Sequence, residues 1–287
     1  MTPEAMREAW ARDGCFVIED LLTPAEVDAL KAEAAAICRG ERGAVDGLPD
    51  DRDGTDDEVT ARCLAIHHPH KISPLARQVA RHPRAAAVLR EIVGPNVKAM
   101  QTMLFVKHAG KPGQAWHQDE NFIPTRDRSM AAVWIALDDA TVENGCLWVH
   151  PGSHRAGVLW PDAAHGDSRF DPVKEAGGFP YDREGGVAMP VRAGGAVFFH
   201  GYLLHRSLPN TTRSGFRRAF VTHTMSAESL LPWDMGGRIP PTKDMRDILL
   251  VCGEDPYAVK GTADLAVPYV RAETGATAWR APSPAMS

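Results

Sequence analysis

Cysteine is scarce and scattered: Cys15, Cys38, Cys63, Cys146 and Cys252 are odd in number and contain no CxxC pair. That excludes a disulfide frame or a zinc knuckle and fits a reducing compartment. Long apolar runs are missing too. The longest, such as 131–137, fall far short of the ~20 residues needed to cross a bilayer, and mean hydropathy is −0.26. The first residues have neither a basic start nor an apolar core, so no secretory signal is expected and a cytoplasmic location is the default. Nor is there an excess of one charge. Lys plus Arg is 32 against 37 for Asp plus Glu, a net −5 with no long run of either sign, which argues against a nucleic-acid partner. No internal repeat is visible. What is present suits a folded chain: 287 residues, 44% apolar, with seven Trp and nine Phe, enough for a large core.

The first 96 residues read as mainly helical. Thr23-Pro24-Ala25-Glu26 combines an N-cap, a proline at the first helical position and a capping-box glutamate, and the run to Cys38 places Val27, Leu30, Ala34 and Ile37 at helical spacing. Ser73-Pro74 and His82-Pro83 open two more helices, the second closing at Gly94-Pro95. The acidic, Gly-rich stretch 41–58 reads as a mobile loop able to serve as a lid. From Val97 the pattern changes to short strands at 103–106, 130–137, 146–149, 196–199 and 217–224. Asn144-Gly145 predicts a tight turn that pairs its two flanking strands. The Gly, Asp and Pro-rich stretch 161–186 is expected at the mouth of this β-core, and a short helix is expected near 242–251. The division is one domain: a helical flank (1–96), a β-core (97–226, with its insertion) and a C-terminal extension (227–287).

Chemistry concentrates at His117-Gln118-Asp119. On an extended strand, residues i and i+2 share a face, so one imidazole and one carboxylate can converge on an ion. A distant strand must supply the third ligand, and His200 and His205 are both candidates. Two imidazoles and one carboxylate on one face form the triad suited to Fe(II) and oxygen activation. A chelating cosubstrate of such a centre needs a fixed cation for its far carboxylate; Arg217 and Arg218 follow the third-ligand segment.

Residues 94–223 resemble the phytanoyl-CoA dioxygenase family of Fe(II)/2-oxoglutarate oxygenases. The matching pieces include Gly94-Pro95-Asn96, Gln101-Thr102-Met103-Leu104, His117-Gln118-Asp119, Trp134 to Asp138, Glu143 to Leu147, Pro151-Gly152-Ser153-His154, Pro209-Asn210 and Phe216-Arg217-Arg218-Ala219, in family order. The resemblance implies an α+β fold with a double-stranded β-helix (jelly-roll or cupin-like) core and flanking N-terminal helices. It implies that His117, Asp119 and His205 bind iron, that His200 is structural, and that Arg217 clamps 2-oxoglutarate. Ser207 would be a second carboxylate contact, Trp134 and Met103 would line the cosubstrate pocket, and Gln101 could share their face. Arg217 falls one residue later after the distal histidine than the family pattern has it, which keeps Arg218 as an alternative clamp. The implied reaction uses O2 and 2-oxoglutarate to hydroxylate an aliphatic carbon of a small molecule, releasing succinate and CO2; Asp119 favours hydroxylation over halogenation. Other classes are a non-catalytic cupin-like metal-binding protein and a zinc hydrolase, neither of which needs a carboxylate clamp. The cluster His67-His68-Pro69-His70-Lys71 reads as a polar turn or a substrate rim, and Trp160 and Trp233 are further substrate candidates. Oligomeric state and substrate stay open.

Overall fold

The computed structural model describes residues 1–230, 248–262 and 266–272. The chain begins with α1 (Pro3–Asp13), β1 (Cys15–Ile18), α2 (Pro24–Cys38), α3 (Asp56–Ala61), β2 (Cys63–His67), α4 (Pro74–Ala80) and α5 (Pro83–Ile92). Strands then dominate: β3 (Val97–His108), β4 (Gln114–His117), β5 (Ala131–Ala136), β6 (Leu147–Val149), β7 (Asp162–Ala163), β8 (Glu175–Ala176), β9 (Val187–Met189), β10 (Ala196–His200), β11 (His205–Ser207), β12 (Phe216–Ser226), β13 (Leu249–Cys252) and β14 (Tyr269–Ala272). Among the described residues no helix is long and apolar enough to cross a membrane.

The expected helix starts are present. Thr23 and Glu26 make the reciprocal capping box of α2, and the Ser73 hydroxyl accepts from Ala76 N at the start of α4. A second box, Thr55 with Glu58, starts α3, so the end of the supposed 41–58 loop is helical. That end is also tied down on the helical side of the molecule by Arg39–Asp56 at 2.6 Å, Arg62–Asp51 at 2.9 Å and Arg218–Asp57 at 2.9 Å. Asp46, nearer the start of the loop, bridges to Tyr269 at the edge of β14.

Two antiparallel sheets pack face to face. The larger has the order β1-β10-β5-β12-β3-β2-β14, with β13 beside β3; the smaller runs β4-β11-β6-β9. Strand alternation sorts the side chains of the larger sheet. Phe198, Phe220, Leu104, Val133 and Ile135 point outward into the core shared with the N-terminal helices, where Phe16 stacks on Phe198 at 5.5 Å between ring centroids. Trp134, Ala136, Val197, Phe199, Ala219 and Val221 point inward against Leu147, Val149 and Leu203 of the smaller sheet's side. Emptying one of the fully buried outer phenylalanines would cost about 3–5 kcal/mol.

Three expectations change. The strands flanking Asn144-Gly145 do not pair: β5 lies in the larger sheet and β6 in the smaller, so the turn crosses between sheets. Asn144 accepts from Thr141 N, and Gly145 has φ +85° at a point where a Cβ would strike Leu208 O and Lys107 Nζ. Second, most of residues 161–186 lies behind the smaller sheet instead of at the mouth. Trp160, Ala176 and Phe179 pack there on Trp116 and Leu204, while the Arg206 guanidinium, over the Trp116 ring, donates to the carbonyls of Arg183, Glu184 and Gly185. Third, Leu249–Cys252 is strand β13, not the end of a helix; the rest of that expected helix and Trp233 lie outside the described residues.

Candidate metal and anion site

His117 ends β4, and Gln118 continues the extended backbone (φ −128°, ψ 127°) before Asp119 opens a short 3-10 turn. Asp119 is therefore just past the strand, yet alternation still places it on the face of His117. Gln118 points the other way and fixes the bend, donating to Val158 O and Tyr202 O and accepting from Trp160 N. Trp160 is accordingly a buried packing residue. The third group, His205, opens β11 as the direct register partner of His117.

One ligand atom from each of His117, Asp119 and His205 lies within 4.8 Å of the others. Asp119 Oδ1 is 3.5 Å from His205 Nε2 and 3.8 Å from His117 Nε2. Both rings point Nδ1 at a carbonyl, His117 at Ala115 O (2.7 Å) and His205 at Leu203 O (3.0 Å). A carbonyl only accepts, so Nδ1 carries the proton and each Nε2 presents its lone pair to the common centre. Burial, with His205 alongside, lowers the His117 pKa to about 4, keeping the ring neutral and ligand-ready. Burial pushes the Asp119 carboxyl up, but His205 and His223 outweigh it and hold it below the usual carboxylate range. The donor set thus fits a divalent metal with positions left open.

His200 is not part of this centre. It lies at the end of β10, on the larger sheet, where it accepts from Tyr202 N and sits 5.3 Å from the Trp10 ring. His200 and His205 are therefore on two strands joined by a turn, not on one.

A second cluster lies on the larger sheet. Arg217 faces inward with its guanidinium carbon 5.4 Å from the Trp134 ring centroid, and its buried Nε has no hydrogen-bond partner among the described residues. Arg218 faces outward, paired through two nitrogens with Asp138 and bound to Asp57. That removes Arg218 as a clamp. Directly across from Arg217 stands Lys107 on β3, whose Nζ donates to Ser207 Oγ at 2.8 Å and Leu208 O at 2.6 Å. Burial, then the neighbouring Arg217, drives the Lys107 ammonium well below the ordinary lysine range, and burial lowers Arg217 to about 10. Two facing buried cations repel, and an anion between them removes the penalty. Along the same inner rows, Met103 lies opposite Val221, which pairs Trp134, and Gln101 lies opposite His223.

A metal-competent His/Asp/His set beside a buried cationic pocket is now in place, and comparison with known proteins agrees with it. The family's sequence profile, "Phytanoyl-CoA dioxygenase (PhyH)", matches residues 10–219. The chain belongs to the phytanoyl-CoA dioxygenase family. A zebrafish (Danio rerio) relative, phytanoyl-CoA dioxygenase domain-containing protein 1, is 32% identical over 183 residues, 62% of each chain; the match thus spans under two thirds of that relative. Human peroxisomal phytanoyl-CoA dioxygenase is 28% identical over 77% of this chain and 68% of its own. Ectoine dioxygenase of Nocardia farcinica is 30% identical over 70% of both. In fold, the chain is similar to the non-heme α-ketoglutarate-dependent carbocyclase SnoK (TM-score 0.64, 23% identity, 88% of this chain and 96% of that one). It is also similar to iron-bound EctD from S. alaskensis (TM-score 0.62, 23% identity, 84% and 82%).

Within this phytanoyl-CoA dioxygenase fold, His117, Asp119, His205, Ser207, Arg217, Trp134, Met103 and Gln101 lie toward the interior between the sheets, whereas Arg218, His200 and Trp160 do not. Three groups were missed. Lys107 continues the spacing of two from Met103 and Phe105, a signal readable as a lysine aimed at the core. His223 continues Arg217, Ala219 and Val221, and its Nε2 lies 3.2 Å from Asp119 Oδ2. Arg271 and Asp171, paired at 2.9 Å, come from segments with no readable pattern. Of the histidine cluster, His70 is buried against the Thr102 hydroxyl at 2.7 Å, while His67 lies opposite Met103, on the inner face.

Proposed function

We propose that the protein is an Fe(II)- and 2-oxoglutarate-dependent dioxygenase that hydroxylates an aliphatic carbon of a small molecule. The observation that carries this is the link between the His117, Asp119 and His205 centre and the buried pair Lys107 and Arg217: Lys107 Nζ donates to Ser207, two residues after His205 on the same strand. A protein that merely stored or sensed a metal, or a zinc hydrolase, has no use for two buried cations beside it that form no ion pair among the described residues. In this reading residues 1–287 form one oxygenase domain, and the paired sheets are a double-stranded β-helix.

His117 Nε2, Asp119 Oδ1 and His205 Nε2 would hold iron on one face. His223 engages the other Asp119 oxygen, which leaves that carboxylate one atom for the metal. Arg217 would clamp the far carboxylate of 2-oxoglutarate through its planar donor fork. Because Lys107 already donates to Ser207 Oγ, the hydroxyl's own proton is free to point at the same carboxylate. Trp134 and Met103 would flank the cosubstrate's carbon chain and exclude water, with Gln101 at the metal end. When bound, iron with 2-oxoglutarate and O2 supplies the oxidising chemistry, with succinate and CO2 as coproducts.

The test is anaerobic addition of Fe(II) and 2-oxoglutarate, followed by a succinate-release screen across amino acids, acyl-CoAs and small alkyl acids. A weak visible charge-transfer band is expected, then substrate-stimulated succinate. No band and no 2-oxoglutarate binding would overturn the reading.

A further inference from the structure

Beyond the candidate metal site and the cationic pocket, the inner face of the larger sheet continues to β14 at its end. One row runs Arg271, Ala65, Phe105, Ala219 across β14, β2, β3 and β12, each residue the register partner of the next. Partners in antiparallel strands share a face, so Arg271 is turned toward the same interior as Phe105. At ~4.8 Å per strand it starts about 10 Å along the row from Phe105. Ala65 is too small to fill that gap.

Among the described residues one polar contact holds the Arg271 side chain: its Nη2 meets Asp171 Oδ2 at 2.9 Å, while its Nε is buried with no described hydrogen-bond partner. Asp171 lies in a stretch of the insertion tied to the residue before β4: Asp171 N donates to Gly113 O, beside the Gly113–Phe170 bridge. Its carboxylate is close enough to act on both His117 and Lys107. The guanidinium therefore lies beside the carboxylate that neighbours His117 and Lys107, and of its five N–H donors the Nε–H meets no described acceptor.

Resting on the oxygenase reading, we propose that Arg271 is the substrate's anchor and that the substrate carries a carboxylate. A planar donor fork suits a carboxylate. The adjacent Asp171 charge favours a single negative charge over a dianionic phosphate. The reacting carbon then lies several bonds from the anchored group, between Arg271 and the metal.

The probe is butyrate, with butyramide as its uncharged isostere and methyl phosphate as the dianion. It is titrated into the full chain, first alone and then with Zn(II) and 2-oxoglutarate occupying the other site. The Arg271 Nε–H resonance, assigned by its loss in Arg271→Gln, reports which cation is engaged. It should shift saturably with butyrate, far less with methyl phosphate and not with butyramide. Arg271→Gln should weaken butyrate at least about tenfold and leave 2-oxoglutarate affinity unchanged. Asp171→Asn should bind butyrate as tightly as wild type or more tightly, because a competing acceptor is gone. If the pair is only a latch, both substitutions weaken butyrate alike, and the proposal fails. It fails equally if butyramide or methyl phosphate matches butyrate. Loss of 2-oxoglutarate binding by the wild type would instead strike the oxygenase reading, and the butyrate titration without metal would still judge Arg271.

Discussion

Lys107 and Arg217 are register partners on neighbouring strands, both buried on the same face, and the hydroxyl between sheets that Lys107 holds is Ser207. A fold that buries two like charges side by side has left a place for the opposite one.

Arg217→Ala should therefore lower 2-oxoglutarate affinity by about a hundredfold or more, and Lys107→Met by about tenfold. Isothermal titration of the metal-loaded protein measures both. Affinity for pyruvate, which lacks the far carboxylate, should change little in either variant. An equal loss for both ligands would mean general damage to the pocket.

Arg218→Ala should do the reverse. Its side chain is bound to the partly buried Asp138 through two nitrogens, so removing it leaves that carboxylate only Lys31 and the backbone N–H of residue 218 and should destabilise the fold by about 1–3 kcal/mol. Cosubstrate affinity should stay within about twofold. Denaturant melts and the same titration separate the two arginines.

His223→Ala should lower metal affinity by about 10- to 100-fold, the scale expected when a group orienting a ligand is lost. His117→Ala, Asp119→Ala and His205→Ala should each abolish tight binding. Competition with a chromogenic chelator gives the order.

The metal-free protein should lose stability on acidification. His117 and His200 have pKa values lowered to about 4 by burial, against about 6.5 unfolded. The unfolded chain takes up their protons first, so the stabilising contribution is complete above pH 6.5 and is lost as pH falls through 4. At most about 3 kcal/mol per histidine is involved. Melting temperature measured from pH 7.5 to 4 should fall, and His200→Gln should flatten the profile.

Arg206→Ala should free the 183–185 carbonyls and raise hydrogen exchange there, with little change in metal affinity. Mass-resolved exchange would detect it.

Much of the site was legible because alternation is a local rule. His117 with Asp119, and Arg217 against Arg218, sort themselves by counting twos, and Thr23 or Ser73 announce helices through their own hydroxyls. What was not legible depends on partners far away in sequence. Asn144-Gly145 specifies a turn, but not that Leu147–Val149 leaves for the other sheet; Arg206 and Trp116 draw the insertion behind that sheet through contacts no window contains. Thr55 and Glu58 did carry a local capping signal, and the acidic composition around them hid it. Lys107 was readable by the same counting once Met103 was assigned.

The three candidate metal ligands all belong to the smaller sheet and its adjoining turn, whereas Arg217, Lys107, Trp134 and Met103 belong to the larger. The two halves meet through the apolar seam formed by Phe199, Leu203 and their neighbours and through two polar links, Lys107 to Ser207 and His223 to Asp119. Repacking that seam would alter the spacing between metal and clamp without touching a single ligand, so apolar residues that contact neither can tune how well the two ends of one small molecule are gripped at once.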